Sequence, residues 1–281
     1  TRYSSVTGVQ TCALPIYSAA LAERQADAAV KWPYLSFGKP GAITSKKVDK
    51  ALGATIVSFA NGSRLIVKPT VFDKDSITVS VALGSGRKGA DEKLKRALWA
   101  VPFMPIGGTG KLDVVSIQRW AQSSGLVVSA NLQAGTSAFT ISGGTRPADL
   151  AAEMQLLAAY VRDPGFRPEL GEKTKSVGQM MAGQIEANAG AVFARESQRV
   201  GAGGDTRFSS VPTASDIAAT AADDLPALLK PALAGPADVT IVGDVKLDDA
   251  IAAVQDTFGA GDQAPRLKSP EPTVTLSAES G

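Results

Sequence analysis

A handful of residue groups in this 281-residue chain have types and spacings that could do chemistry. Ser85-Gly86-Arg87-Lys88 matches S-x-x-K, in which a lysine one turn beyond a serine acts as base for acyl transfer. That mechanism needs the serine at a helix start and the lysine desolvated, whereas Gly84, Gly86 and Gly89 predict a mobile, solvated loop. Gly107-Gly108-Thr109-Gly110-Lys111 resembles a phosphate cradle. A P-loop, however, places G-x-x-x-x-G-K-[ST] between a strand and a helix; here a helix precedes and Leu112 follows, so a helix-ending turn is expected. Asp223-Asp224 and Asp248-Asp249 offer paired carboxylates to a hard cation, or simply begin helices, where the dipole favours acids. Arg195, Arg199 and Arg207 could hold peptide carboxylates or form surface ion pairs. Trp99, Phe103 and Trp120 could stack on a peptide, although large aromatics at helical spacing more often fill a core.

Composition removes whole classes of mechanism. The chain has no histidine, so Ser-His and Cys-His catalysis and zinc sites with imidazole ligands are out of reach within it. Its one cysteine, Cys12, can form neither an internal disulfide nor a thiolate cluster. The 29 basic and 27 acidic residues are interspersed, leaving no basic footprint for nucleic acid. No run approaches the roughly 20 apolar residues that span a bilayer.

Periodicity supplies the elements that must position these groups. Residues 54–60 and 64–68 alternate apolar and polar around Asn61-Gly62, a strong hairpin signal. Residues 76–83 predict a third strand, with Ile77, Val79, Val81 and Leu83 on one face. Residues 91–103 have helical spacing and an acidic start, and 113–123 form a second helix. A second strand pair is expected at 126–133 and 137–142. A helix at 147–161 follows, with Thr145 available to cap it. After the turn at 163–168 comes one long helix from 169 to about 200. Residues 216–229 are expected to be helical, 239–242 a buried strand and 247–258 a closing helix. Strands in hairpins rather than in β-α-β alternation predict an α+β fold, an antiparallel-rich sheet with helices packed on one face.

Residues 6–16, VTGVQTCALPI, resemble the conceptual translation of a common sequencing-library adapter. Residues 1–16 are therefore set apart from fold reasoning, Cys12 with them, and the authentic sequence is expected to begin near Ser18 inside a longer gene. An Ala-rich helix at 18–30 and a Pro/Gly-punctuated segment at 31–47 predict the tail of a preceding domain and an ordered linker draped over a surface. The main domain is expected at 48–260 and an outgoing linker at 261–281.

The ordered set of segments then resembles a family. F-x-N-G-x-R-L-x-V-K-P (59–69), a Gly-containing loop after the third strand, the helix-turn LWAVPFMPIGGTG (98–110), SGLVVSA (124–130), FTISG (139–143) and VTIVGDV (239–245) occur in this order in pitrilysin/insulinase-type zinc peptidases. Catalytic members carry H-x-x-E-H on the helix after the third strand: two histidines bind zinc, the glutamate activates water, and a downstream glutamate completes the ligands. Aligned on Met104 and Gly108-Thr109, this chain has Trp99 and Phe103 at the two histidines and Pro102 at the base. The downstream glutamate falls near Gln179 and Met180.

The resemblance implies a metallopeptidase-like α/β roll without a catalytic residue or a metal ligand of its own. Long family members have two homologous halves closing around a peptide chamber, of which only one normally carries the motif. The chain is thus expected to be an inactive half that forms chamber wall and contacts peptide, with Ser85, Gly86, Arg87 and Lys88 as candidate contacts. Its implied partner is a catalytic half, on the same chain or a separate subunit, which holds the zinc; no cofactor is expected here. The implied location is the periplasm or cell envelope of a Gram-negative bacterium. A non-catalytic assembly or scaffold subunit of the same fold and a Ser-Lys acyl enzyme are the alternatives.

Overall fold

Alternation at period two builds the sheet. In β4 (Ile77–Leu83), Ile77, Val79, Val81 and Leu83 are buried while Thr78, Ser80 and Ala82 are more exposed. The computed structural model describes residues 30–208 and 211–262. The adapter-like residues 1–16 with Cys12, nearly all of the expected helix at 18–30, and residues 263–281 lie outside the described residues.

The hairpin of β2 (Ala54–Phe59) and β3 (Arg64–Pro69) turns where Asn61-Gly62 predicts it, with Gly62 at φ 87°. Asn61 does more than turn the chain. Its buried amide donates to the carbonyls of Phe258 at 2.8 Å and Ala260 at 3.2 Å, tying the hairpin to the far end of the chain. With β1 (Ile43–Asp49), β5 (Asn131–Ala134), β6 (Phe139–Thr145) and β7 (Asp238–Gly243) the strands form one seven-stranded sheet in the order β1-β2-β3-β7-β4-β6-β5. Among the pairings only β3 with β7 is parallel. The expected late strand is thus the middle of the sheet.

Helices cover one face. α2 (Leu150–Arg162) lies against β6, and α7 (Leu247–Gln255) against β2 and β3. Leu157, Ile251 and Val254 join Val57, Leu65, Val79 and Ile241 in one core. This is the antiparallel-rich α+β arrangement that the strand pattern predicts. The remaining helices are α1 (Val114–Ser123), α3 (Pro168–Glu186), α4 (Ala189–Gly201), α5 (Ala214–Ala219) and α6 (Asp224–Leu233).

Several expectations need correction. Residues 43–47 are not linker but the start of β1, and the part of the segment before them bends without helix or strand, with Trp32 stacked on Trp120 at 4.1 Å. The single long helix at 169–200 is two, because Asn188 leaves helical geometry and caps α4 by accepting from Ala191 N–H at 3.1 Å. Residues 216–229 also divide, a capping box at Thr213 and Asp216 opening α5 and Asp224 opening α6. Thr145 caps nothing; its hydroxyl donates to the Val127 carbonyl at 2.7 Å.

That last bond belongs to a further difference. Of the strand expected at 126–133 only Asn131–Ala134 pairs with β6. The preceding residues form a strap held by side chains of α2 and the turn before it. Val127 N–H donates to Asp149 Oδ2 at 2.9 Å, and Ser129 N–H to Glu153 Oε2 at 2.9 Å. Arg146 braces Asp149 at 2.6 Å, whereas among the described residues the fully buried Glu153 has no cationic partner and its Oε1 no hydrogen bond to a donor. A Cβ added to Gly143 would overlap both this Oε1 and the Ser129 carbonyl oxygen, so the two oxygens are neighbours. Two oxygens tolerate such proximity when one carries a proton. Burial accordingly pushes the Glu153 carboxyl from 4.5 to about 8, only partly opposed by the Ser129 N–H.

The sign of the linkage follows. The folded chain retains a proton at Glu153 that the unfolded chain releases above 4.5, so this contribution is present at acid pH and lost as pH rises towards about 8. Urea midpoints are expected to fall between about pH 5 and about pH 9. Glu153→Gln, which can donate to Ser129 O and accept from Ser129 N–H at any pH, should flatten that slope; an unchanged slope would show that Glu153 ionises normally.

Candidate functional site

The segment after β4 carries the positions at which the resemblance places a metal motif. It is not the α-helix its spacing predicts. Residues Lys95–Gly107 form successive 3₁₀ turns containing Pro102 and Pro105. Each proline lacks an N–H and disfavours α geometry in the residue before it, so the tighter turn prevails. The consequence is angular. Residues four apart lie about 40° apart around an α-helix but about 120° apart at three residues per turn. Positions 99 and 103 therefore leave the backbone in different directions, and short ligand side chains there would not share a face as on an α-helix, although long rings can still reach each other.

Trp99 is buried and fixed on two sides. Its indole N–H donates to Thr220 Oγ1 at 3.0 Å, and that hydroxyl donates onward to the carbonyl of Asp216 or Arg96. Its ring lies on α3 where Gly178 leaves room: a Cβ there would stand 2.6 Å from Trp99 Cη2. Phe103 meets the indole edge-on, with centroids 6.0 Å apart. Pro102 is exposed, as are Gln179 and Met180 on α3. Aromatic carbon thus occupies the space between this segment and α3. The residues present do not fit a zinc ion: the indole nitrogen is a donor only, Phe103 and Pro102 offer no ligand atom, and Gln179 and Met180 bring no carboxylate. Among the described residues no three of His, Cys, Asp or Glu stand together as a metal-holding group.

The glycine turn that follows is equally committed. Gly108 N–H donates to Pro105 O at 3.0 Å, Thr109 N–H to Leu112 O at 2.7 Å, and Gly110 N–H to Asp163 O at 2.7 Å. Lys111 N–H donates to the Tyr34 hydroxyl at 3.0 Å, and its ammonium stands 4.7 Å from the Tyr34 ring centre. Arg167 donates to the Gly107 and Thr109 carbonyls. With these amides engaged, the turn has no cradle to offer a phosphate.

Ser85–Lys88 departs from the solvated loop that its glycines predict. Gly86–Gly89 is a 3₁₀ turn docked on the β5–β6 connection, Arg87 N–H bonding Gly135 O at 2.9 Å and Lys88 N–H bonding Thr136 O at 3.0 Å. Ser85 and Gly86 are buried, Arg87 donates to the Ala134 and Arg207 carbonyls, and Lys88 is half-buried. Desolvation draws the Arg87 guanidinium below its ordinary range. Asp224 opens α6 and pairs with Arg96 at 2.8 Å, which lowers its pKa, while Asp248 and Asp249 occupy the first turn of α7. Arg195 pairs with Glu186 and Glu196, Arg199 with Glu196, and Arg207 with Asp205. Trp120 stacks on Trp32 and stands apart from the Trp99–Phe103 pair. Sequence reasoning missed Thr220 and Gly178, the two residues that fix the indole; nothing in their local pattern signals it.

No family model and no curated protein matches the sequence. Solved structures do. The periplasmic protease PqqL from Escherichia coli superposes with a TM-score of 0.67 at 16% identity, over 83% of this chain and 26% of that one. Pitrilysin gives 0.63 at 15%, over 84% and 26%. A peptidase M16 inactive domain from Pseudomonas fluorescens gives 0.60 at 18%, over 78% and 54%. The chain therefore has the fold of pitrilysin-type peptidase structures, one of them described as inactive, and spans about a quarter of the two longer proteins.

Two expected outcomes follow. Isothermal titration of a Trp99→His/Phe103→His double variant should show no stoichiometric zinc uptake, because the backbone turns the two positions apart; tight binding would contradict the 3₁₀ assignment. Gly178→Ala should destabilise the fold by about 1–3 kcal/mol through overpacking against the indole. It should also shift tryptophan emission; neutral behaviour would show that Trp99 is not seated there.

Proposed function

We propose that this chain is the non-catalytic part of a pitrilysin-type peptidase, acting as wall of a peptide chamber. The observation that carries this is the indole of Trp99, seated where the resemblance places a metal ligand and locked by Thr220 and Gly178. Chemistry is then supplied by a partner half carrying H-x-x-E-H and zinc, on the same chain or a separate subunit. A protein named as an M16 inactive domain with the same fold supports the reading.

The other face of the sheet suits a wall. Ile56, Ile66, Ser80, Ser142, Thr240 and Val242 are half-buried there, on the face opposite the core residues Val57, Leu65, Val79, Ile141 and Ile241. Short hydroxyls interleaved with branched apolar groups accept an extended peptide without demanding one sequence. Of the candidate contacts Ser85, Gly86, Arg87 and Lys88, we assign substrate contact to the half-buried Lys88, since Ser85 and Gly86 are buried and Arg87 braces β5. PqqL, described as periplasmic, supports a location in the periplasm or cell envelope. No helix of the described residues is long and apolar enough to cross a membrane.

Co-expression with a neighbouring H-x-x-E-H polypeptide tests the assignment. The two should co-purify, and the chain should raise peptide turnover by that polypeptide by roughly tenfold or more, through substrate binding rather than chemistry. Association without any effect on turnover would favour the scaffold alternative; no association with any such polypeptide would remove the reading.

A further inference from the structure

Beside Trp99 lies a cavity of about 190 Å³, bounded by the 3₁₀ segment, the start of α3 and the α5–α6 connection. It is smaller than the roughly 300–1,000 Å³ of cofactor and drug-sized sites, which leaves room for a single side chain. Its apolar lining includes the rings of Trp99, Phe166 and Pro226 beside Leu225.

Those walls are already in place without an occupant. Trp99 is held by Thr220, and the Phe166–Pro168 turn by Arg167 on the Gly107 and Thr109 carbonyls. The lining residues bring both signs of charge, Glu172 and Asp223 exposed and Lys175 half-buried. Opposite charges close together disfavour an ion of either sign and suit a neutral dipolar unit such as a peptide group. In the same wall Thr174 keeps a buried hydroxyl with no hydrogen-bond partner. Buried polar groups in native proteins nearly always have one, so this hydroxyl, on a residue that lines the cavity, is left to pair with an occupant.

We infer that this cavity is a specificity pocket for one apolar side chain, preferentially aromatic, of an extended peptide whose main chain crosses the charged mouth. The inference rests on the reading of the chain as a peptide-contacting wall and adds to it the class of residue selected. Selection would thus arise on a half that performs no chemistry.

The test uses the full chain and acetyl-Gly-Gly-Phe-Gly-Gly-amide as probe, followed through the Trp99 indole N–H resonance, with Asp- and Lys-centred peptides as controls. The Phe peptide should shift that resonance saturably, with half-saturation on the order of 1 mM, and the controls at least about tenfold more weakly. Gly171→Leu adds a side chain to the cavity wall beside Ala222, whose Cβ would lie only 3.3 Å from the new Cβ, so the shift should disappear; its unfolding midpoint is measured in the same samples, and Thr174→Val serves where that midpoint falls. Thr174→Val should weaken binding several-fold without lowering the unfolding midpoint. Equal response to all three peptides, no response at all, or full response in Gly171→Leu overturns the pocket. Association of Gly171→Leu with the catalytic polypeptide is measured alongside. Association kept while the probe fails to bind wild type overturns the pocket alone, whereas lost association in wild type counts against the wall.

Discussion

One strand joins two half-sheets. β1-β2-β3 and β4-β6-β5 share no pairing of their own; both are held by β7, parallel to β3 and antiparallel to β4. Asp238–Gly243 follows β6 by nearly a hundred residues, so the sheet cannot close until most of the chain has been made and α7 is ready to cover it. Folding that depends on so distant a pairing is intrinsically slow, because loop-closure entropy is lost before the contacts reward it. Val239 and Ile241 are wholly buried in consequence.

The same logic of substitution governs the segment at 95–107. Two prolines tighten the backbone here, and an indole takes up the space against α3. Removing charged ligands from a buried site would leave desolvated groups and a void; replacing them with aromatic carbon relieves both costs at once. What is retained is the framework around the site, including α3 and the braced glycine turn.

How far the amino-acid pattern alone reveals this depends on where the information resides. β4 and the β2–β3 hairpin are legible because their burial follows a period of two and Asn61-Gly62 has few other uses. The centre position of β7 is not legible, since VTIV describes a buried strand equally well at several places in a sheet. Residues 126–130 read as strand because their apolar pattern is that of one; the carboxylates of Asp149 and Glu153, more than twenty residues away, take over their hydrogen bonds. The 91–103 helix fails at Pro102 and Pro105, a local signal that was present but outweighed by apolar spacing. At the site, the absence of ligand chemistry at Trp99, Pro102 and Phe103 is plain from residue type. The cavity behind the indole is not, because Phe166, Thr174 and Leu225 converge only through tertiary packing.

The two ends of the described structure meet at one corner. Gly41 N–H donates to Gln255 O at 2.9 Å, Gln255 Nε2 returns a bond to Gly41 O at 3.0 Å, and Gly261 N–H reaches Lys39 O at 3.3 Å. The two described ends are thus braced against each other as one corner. A displacement of residues 38–41 is therefore passed directly to residues 259–262 through these bonds rather than into the sheet.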